Sequence, residues 1–206
     1  KRKLRSGFTA SKDYVPPSTS TRGIRYVWFG YENSSWNDRP LNIAEIEVYS
    51  GGVNVAKNAT KTESSSQYSA NSYKPTNLID GNMSNFAHTN NSGTNWFKIT
   101  LDKQYPIEKV MVYNRTSCCY DRWAESFVKL LNTNGNEIMR STDTLPSDRS
   151  KATNYKEGGV RVKTFTFGNT VATQPTYTKK DNTVLWSSQN LDLDSGYDGK
   201  GNGGTL

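Results

Sequence analysis

One histidine, His88, is all the chain contains, and its only cysteines, Cys118 and Cys119, are neighbours. Two adjacent thiols and one imidazole cannot make a tetrahedral zinc set. No Ser or Cys has a nucleophile's motif around that histidine, and no carboxylate pair stands out among the acidic residues, so no catalytic set is expected. No run of about 18 apolar residues exists, which excludes a membrane-spanning helix. No secretory signal is visible; the chain does not begin with Met, so that absence carries no argument. Hydrophobic residues make up only 33% of the 206, and mean hydropathy is −0.80.

Against these shortages stands an aromatic content of 12%, with 12 Tyr, 7 Phe and 5 Trp. A real core inside a large polar excess fits an all-β binding module, whose strands expose one face and whose loops are rich in Asn, Ser and Thr. The formal charge is +7, from 26 basic and 19 acidic residues, and Lys1, Arg2, Lys3 and Arg5 crowd the start. A basic terminus reads as a solvated arm or tether rather than a specific nucleic-acid reader.

Residues 1–22 lack periodicity and contain Pro16 and Pro17, which predicts a polar basic arm. Strands are expected at 24–29, 41–49, 96–101, 107–113, 127–131 and 161–167, from β-branched and aromatic content and period-two alternation. Gly51 and Gly52 end the second of these, and 53–95 reads as loop with brief apolar anchors. After Phe167 the composition turns to Thr, Asn, Asp, Gly and Lys, so 169–206 is expected to be an extended tail, leaving a single β-sandwich domain over 23–168. No stretch of ten residues repeats at 3.6.

A basic cluster surrounds the cysteine pair: Asn114-Arg115-Thr116-Ser117-Cys118-Cys119-Tyr120-Asp121-Arg122. Two guanidiniums offer forked donors to vicinal sugar hydroxyls. Free thiols are one reading of Cys118 and Cys119; a vicinal disulfide is favoured, presenting a flat apolar surface and implying an oxidising exterior. The plain alternative makes Arg115 and Arg122 ordinary surface residues, one of them paired with Asp121.

These residues resemble the F-type, fucose-binding lectins, a discoidin-like, galactose-binding-like family. Its site is marked by His, 26 intervening residues, Arg-x-Asp, four residues and a further Arg or Lys. Here 26 residues separate His88 from Arg115, and Arg122 follows Arg115 by seven. Trp96-Phe97-Lys98-Ile99-Thr100-Leu101 is similar to the family's Trp-Trp-x-Val-Asp-Leu strand. One position departs: the motif's Asp, which helps orient the arginines, is Ser117. The resemblance implies a discoidin-like jelly-roll β-sandwich and carbohydrate binding by His88, Arg115, Arg122, Cys118 and Cys119. It also implies a structural calcium site. The family's Asn-x-x-Asp-Gly-Asn appears as Asn77, Asp80 and Asn82, with further ligands expected from the Ala44 carbonyl and the Glu45 carboxylate. Oxygen donors of this kind are what calcium takes.

In those lectins the strand matched by 41–48 closes the domain, whereas here it comes early. A circularly permuted sandwich is the preferred explanation; the rival makes 24–49 the end of an upstream domain and leaves the core short of a strand. The functional expectation is therefore a calcium-braced glycan-binding module on an extracellular or virion surface, binding fucose or a similar sugar. The alternative is a structural protein, such as a minor capsid component, that uses the sandwich as scaffold and laces its tails to neighbouring subunits. An appended module of a glycosidase ranks last. Asn33, Asn58, Asn82, Asn90 and Asn114 head glycosylation triplets, which Asn-rich loops produce by chance.

Overall fold

A computed structural model describes residues 23–32, 39–69, 71–90 and 94–168. The expected arm, 1–22, and tail, 169–206, lie outside the described residues, as does the Asn33 triplet. In chain order the strands are β1 (Ile24–Tyr31), β2 (Asn42–Ser50), β3 (Val53–Asn54), β4 (Lys61–Ser64), β5 (Ala87–His88), β6 (Asn95–Tyr105), β7 (Lys109–Asn114), β8 (Phe127–Leu131), β9 (Glu137–Arg140) and β10 (Val162–Thr166). One α-helix, α1 (Arg149–Asn154), precedes β10, and 3-10 turns occupy Val55–Asn58, Pro75–Leu78 and Tyr120–Trp123.

The strands form two antiparallel sheets. One runs β4-β6-β1-β8-β9; the other runs β10-β7-β2-β3, with β5 pairing to the start of β2. This is the expected all-β, discoidin-like sandwich. Alternation explains the core: Val27, Phe29, Phe97, Ile99, Val128 and Leu130 from the first sheet are buried with Ile46, Val48, Val110, Val112 and Phe165 from the second. Phe29 and Phe165 meet between the sheets with ring centroids 6.1 Å apart. Both strands of 24–50 are interior to their sheets: β1 lies between β6 and β8, and β2 between β7 and β3.

All six expected strands are present, with bounds shifted by a few residues. The segment expected to be loop contains β3, β4, β5 and two 3-10 turns. Both β4 and β9 sit at the edges of the first sheet. Edge strands are commonly polar, which blunts pairing with other chains, and Lys61-Thr-Glu-Ser and Glu137-Ile-Met-Arg accordingly show little apolar alternation. Helix α1 has six residues, too few for a 3.6-residue pattern to register. It starts where the Asp148 carboxylate accepts from the Lys151 amide at 2.9 Å.

Two backbone features matter for the site. Gly30 permits close packing of β6, since a Cβ there would lie 2.3 Å from the Asn95 carbonyl oxygen. The register of β2 against β7 slips between Ile43 and Glu45, leaving Ala44 as a bulge residue.

Candidate functional site

The start of β2 gathers the predicted side chains. Its Asn42 pairs with His88, and its Ile43 pairs with both Ala87 and Asn114. His88 and the Asn114–Arg122 turn are thereby brought to one end of the sandwich from opposite sides of one strand. The turn is closed by its own chain: the Asn114 side-chain amide donates to the Tyr120 carbonyl at 2.9 Å, and the Tyr120 hydroxyl to the Thr116 carbonyl at 2.9 Å. Asn114 is buried, 1% exposed, so its triplet is not a surface glycosylation site.

Cys118 and Cys119 are joined in a vicinal disulfide. Cys119 adopts the left-handed region, φ 60°, and its carbonyl accepts from the Arg122 amide at 3.2 Å. The disulfide turn therefore launches the 3-10 segment that carries Arg122. Trp123, fully buried, pins that segment by donating its indole N–H to the Ala152 carbonyl of α1 at 3.0 Å. From the other side the buried Arg39 guanidinium donates to the Ala124 carbonyl at 2.7 Å and lies over the Tyr31 ring at 4.5 Å. None of these anchors was read from the sequence; a buried arginine distant in the chain leaves no local signal.

His88 and Arg122 are in direct contact, with Nη1 2.9 Å from Nε2. The other ring nitrogen, Nδ1, lies 2.6 Å from the Thr89 carbonyl oxygen. A carbonyl only accepts and a guanidinium only donates, so Nδ1 carries the proton and Nε2 is the acceptor. Burial pushes the His88 pKa down, and the charges of Arg122 and Arg115 push it the same way. A neutral imidazole is thus held as a brace for Arg122.

Arg115 lies with its guanidinium carbon 3.9 Å from the Phe86 ring centroid, and its Nε donates to Ser117 Oγ at 2.8 Å. Ser117 thus orients Arg115 without adding a charge. Burial, then the charge of Arg122, lowers the Arg115 pKa. The Asp121 carboxylate accepts from Arg149 Nε at 2.6 Å. The plain alternative pairs Asp121 with Arg115 or Arg122; its partner is instead a residue of α1.

Three aromatic residues missed in the sequence wall the site. Tyr68 and Tyr73 lie 4.8 and 5.7 Å from the His88 ring, and Phe86 stacks on Tyr73 at 4.7 Å. Backbone bonds fix them, from the Tyr68 amide to the His88 carbonyl at 3.1 Å and from the His88 amide to the Tyr73 carbonyl at 3.3 Å. Tyr68 is 63% exposed. The available signal was aromatic residues stranded in an otherwise Asn- and Ser-rich segment.

Next to this wall lies the acidic turn. The buried Glu45 carboxylate accepts from the Gly81 amide at 3.2 Å through both oxygens. Its pKa is raised to about 7, first by burial and then by the charges of Asp80 and Glu47, with the Gly81 bond opposing. Asp80 is held by the Asn82 amide at 2.9 Å and the Asn85 side chain at 2.7 Å, and Asn82 Oδ1 accepts from the Ser84 amide at 3.0 Å. Asn77 donates to the Phe86 carbonyl at 3.0 Å, tying the acidic turn to the ring beneath Arg115.

Calcium, implied by the resemblance, fits this donor set. The Glu45 carboxylate holds the Gly81 amide and feels the charge of Asp80, the Ala44 bulge leaves the ladder, and the buried Asn85 Oδ1 has no hydrogen-bond partner. No group of three or more His, Cys, Asp or Glu side chains converges among the described residues, so amide and carbonyl oxygens would complete the shell.

Residues 77–176 match the model of a family described as NedA-like, galactose-binding domain. The match starts at Asn77, takes in His88 and the arginine turn, and spans 100 of the 206 residues (176 − 77 + 1). No curated protein and no solved structure matches the chain.

Proposed function

We propose that the chain is a carbohydrate-binding module whose site is the arginine turn at the loop end of the sandwich. The observation that carries this reading is the convergence of Arg115 and Arg122, each held by a neutral partner, beside an exposed aromatic wall. Guanidinium forks suit vicinal hydroxyls, and the ring of Tyr68 and the disulfide offer apolar surface to a sugar's C–H face. The match to a galactose-binding domain model supports the same ligand class; fucose specificity is the finer proposal, resting on the His88, Arg115 and Arg122 spacing.

Both ring nitrogens of His88 are engaged, so its part in the proposal is to hold Arg122 rather than to meet sugar. Asn77, Asp80, Asn82, Glu45 and the Ala44 carbonyl would hold calcium. When bound, calcium supplies charge that joins the acidic turn to β2. The turn's own contribution is through Asn77, which fixes the backbone at Phe86 and with it the bed on which Arg115 lies.

The vicinal disulfide supports an oxidising setting, extracellular or on a cell or virion surface. Binding rather than catalysis is inferred. The scaffold reading rests on 1–22 and 169–206, outside the described residues. A glycan array probed with intact protein, with and without a calcium chelator, tests the proposal. Calcium-sensitive capture of a defined set of glycans supports it, and a blank array from folded, multivalently displayed protein overturns it.

A further inference from the structure

The proposed site is rich in donors and short of acceptors. Arg115 and Arg122 bring N–H groups only; His88 Nε2 spends its single lone pair on Arg122, and Ser117 Oγ already accepts from Arg115 Nε. The Thr89 carbonyl accepts from His88, and the Asp121 carboxylate from Arg149. The charges of Arg122 and Arg115 act on His88, and that of Arg122 acts on Arg115. Two half-buried guanidiniums are thus held close enough for the charge of one to lower the pKa of the other.

Hydroxyls of a neutral sugar both donate and accept, and a pair of cationic donors uses only their accepting half. An anionic oxygen only accepts, matches the guanidinium fork in pairs, and cancels like-charge repulsion. We infer that this site selects a saccharide bearing an anionic group, a carboxylate fitting the forked donors best. The inference rests on the carbohydrate reading and names its ligand class. The sugar ring would still pack on Tyr68, 63% exposed, which a free inorganic anion cannot use.

Calorimetric titration of the folded protein with galacturonic acid, galactose, galactose 6-sulfate and inorganic sulfate tests this. Galacturonic acid should bind at least about tenfold tighter than galactose at low salt, the size expected of a charge-assisted hydrogen bond, and the margin should shrink as salt is added. Galactose 6-sulfate binding tighter than galacturonic acid would keep the anion and overturn the carboxylate. Ser117→Asp, at an exposed position, should abolish the preference by setting a carboxylate beside Arg115. Ser117→Ala should weaken binding while keeping the preference. Galactose binding as tightly as galacturonic acid overturns the inference and leaves the carbohydrate reading standing. Inorganic sulfate binding as tightly as the acidic sugar overturns it as an ion site only. No heat from any sugar overturns both.

Discussion

Arg122 Nη1 lies 2.9 Å from His88 Nε2, while His88 Nδ1 is committed to the Thr89 carbonyl 2.6 Å away. This pairing works only with a neutral imidazole, because a second proton on His88 would face the guanidinium donor to donor. The lone histidine is therefore the element that sets the arginine, and its charge state is a handle on the site.

The first prediction concerns that charge state. His88 has its pKa below the ordinary 6.5, with burial the leading cause and the two arginines adding to it. The unfolded chain then binds the proton more readily than the folded one, so stability rises with pH across this titration. The contribution is complete above 6.5 and is lost as pH falls through the window below it. With one histidine in the chain, its imidazole resonances need no assignment. NMR titration should give a pKa below 6.5, and Arg122→Ala should raise it.

Glu45 behaves oppositely. Its pKa is raised from 4.5 to about 7, so the metal-free folded protein holds a proton there that the unfolded chain has released. That stabilisation is full below 4.5 and is lost as pH rises through about 7. Glu45→Gln should flatten this fall in the metal-free protein, as read from denaturation midpoints at pH 5 to 8. Calcium, if held there, should displace the proton, and its affinity should climb over the same window and drop sharply in the Gln variant.

The disulfide turn gives a third test. Cys119 is held at φ 60° immediately before the segment bearing Arg122. Reduction, or Cys118→Ser with Cys119→Ser, should leave the sandwich folded, because the core draws on neither residue. Glycan binding should fall by about tenfold or more as Arg122 loses its fixed start. Unchanged affinity in the double variant would remove the turn from the account.

Gly30 tests the frame. A Cβ on this residue would lie 2.3 Å from the Asn95 carbonyl oxygen and 2.7 Å from the Trp96 Cα, both backbone atoms. Gly30→Ala should destabilise by about 1–3 kcal/mol, measured by chemical denaturation, through overpacking between β1 and β6.

What the sequence disclosed depended on periodicity and spacing. Strands β6 and β7 bury alternate residues, whereas β1 and β2 are buried at most positions, and β1 was readable from its run of β-branched and aromatic residues. Edge strands β4 and β9 were not, since polar residues serve an edge. His88, Arg115 and Arg122 were found by their separations, and the structure brings them to the start of β2. Tyr68, Tyr73 and Phe86 escaped because loop aromatics follow no period, and Arg39 because the Ala124 carbonyl that it anchors lies 85 residues away. The pairing of Asp121 with Arg149 rather than a site arginine was decided by α1, a helix too short to show in the pattern.

The most direct test of the central claim is an NMR titration of isotope-labelled protein with galacturonic acid and with galactose, beside the Arg122→Ala variant. Saturable amide shifts are expected at Tyr68, Tyr73, residues 86–90 and residues 114–123 alone, with the indole of Trp123 unmoved, and they should be lost in the variant. Shifts that survive in folded Arg122→Ala, or that map to another face of the sandwich, would contradict it.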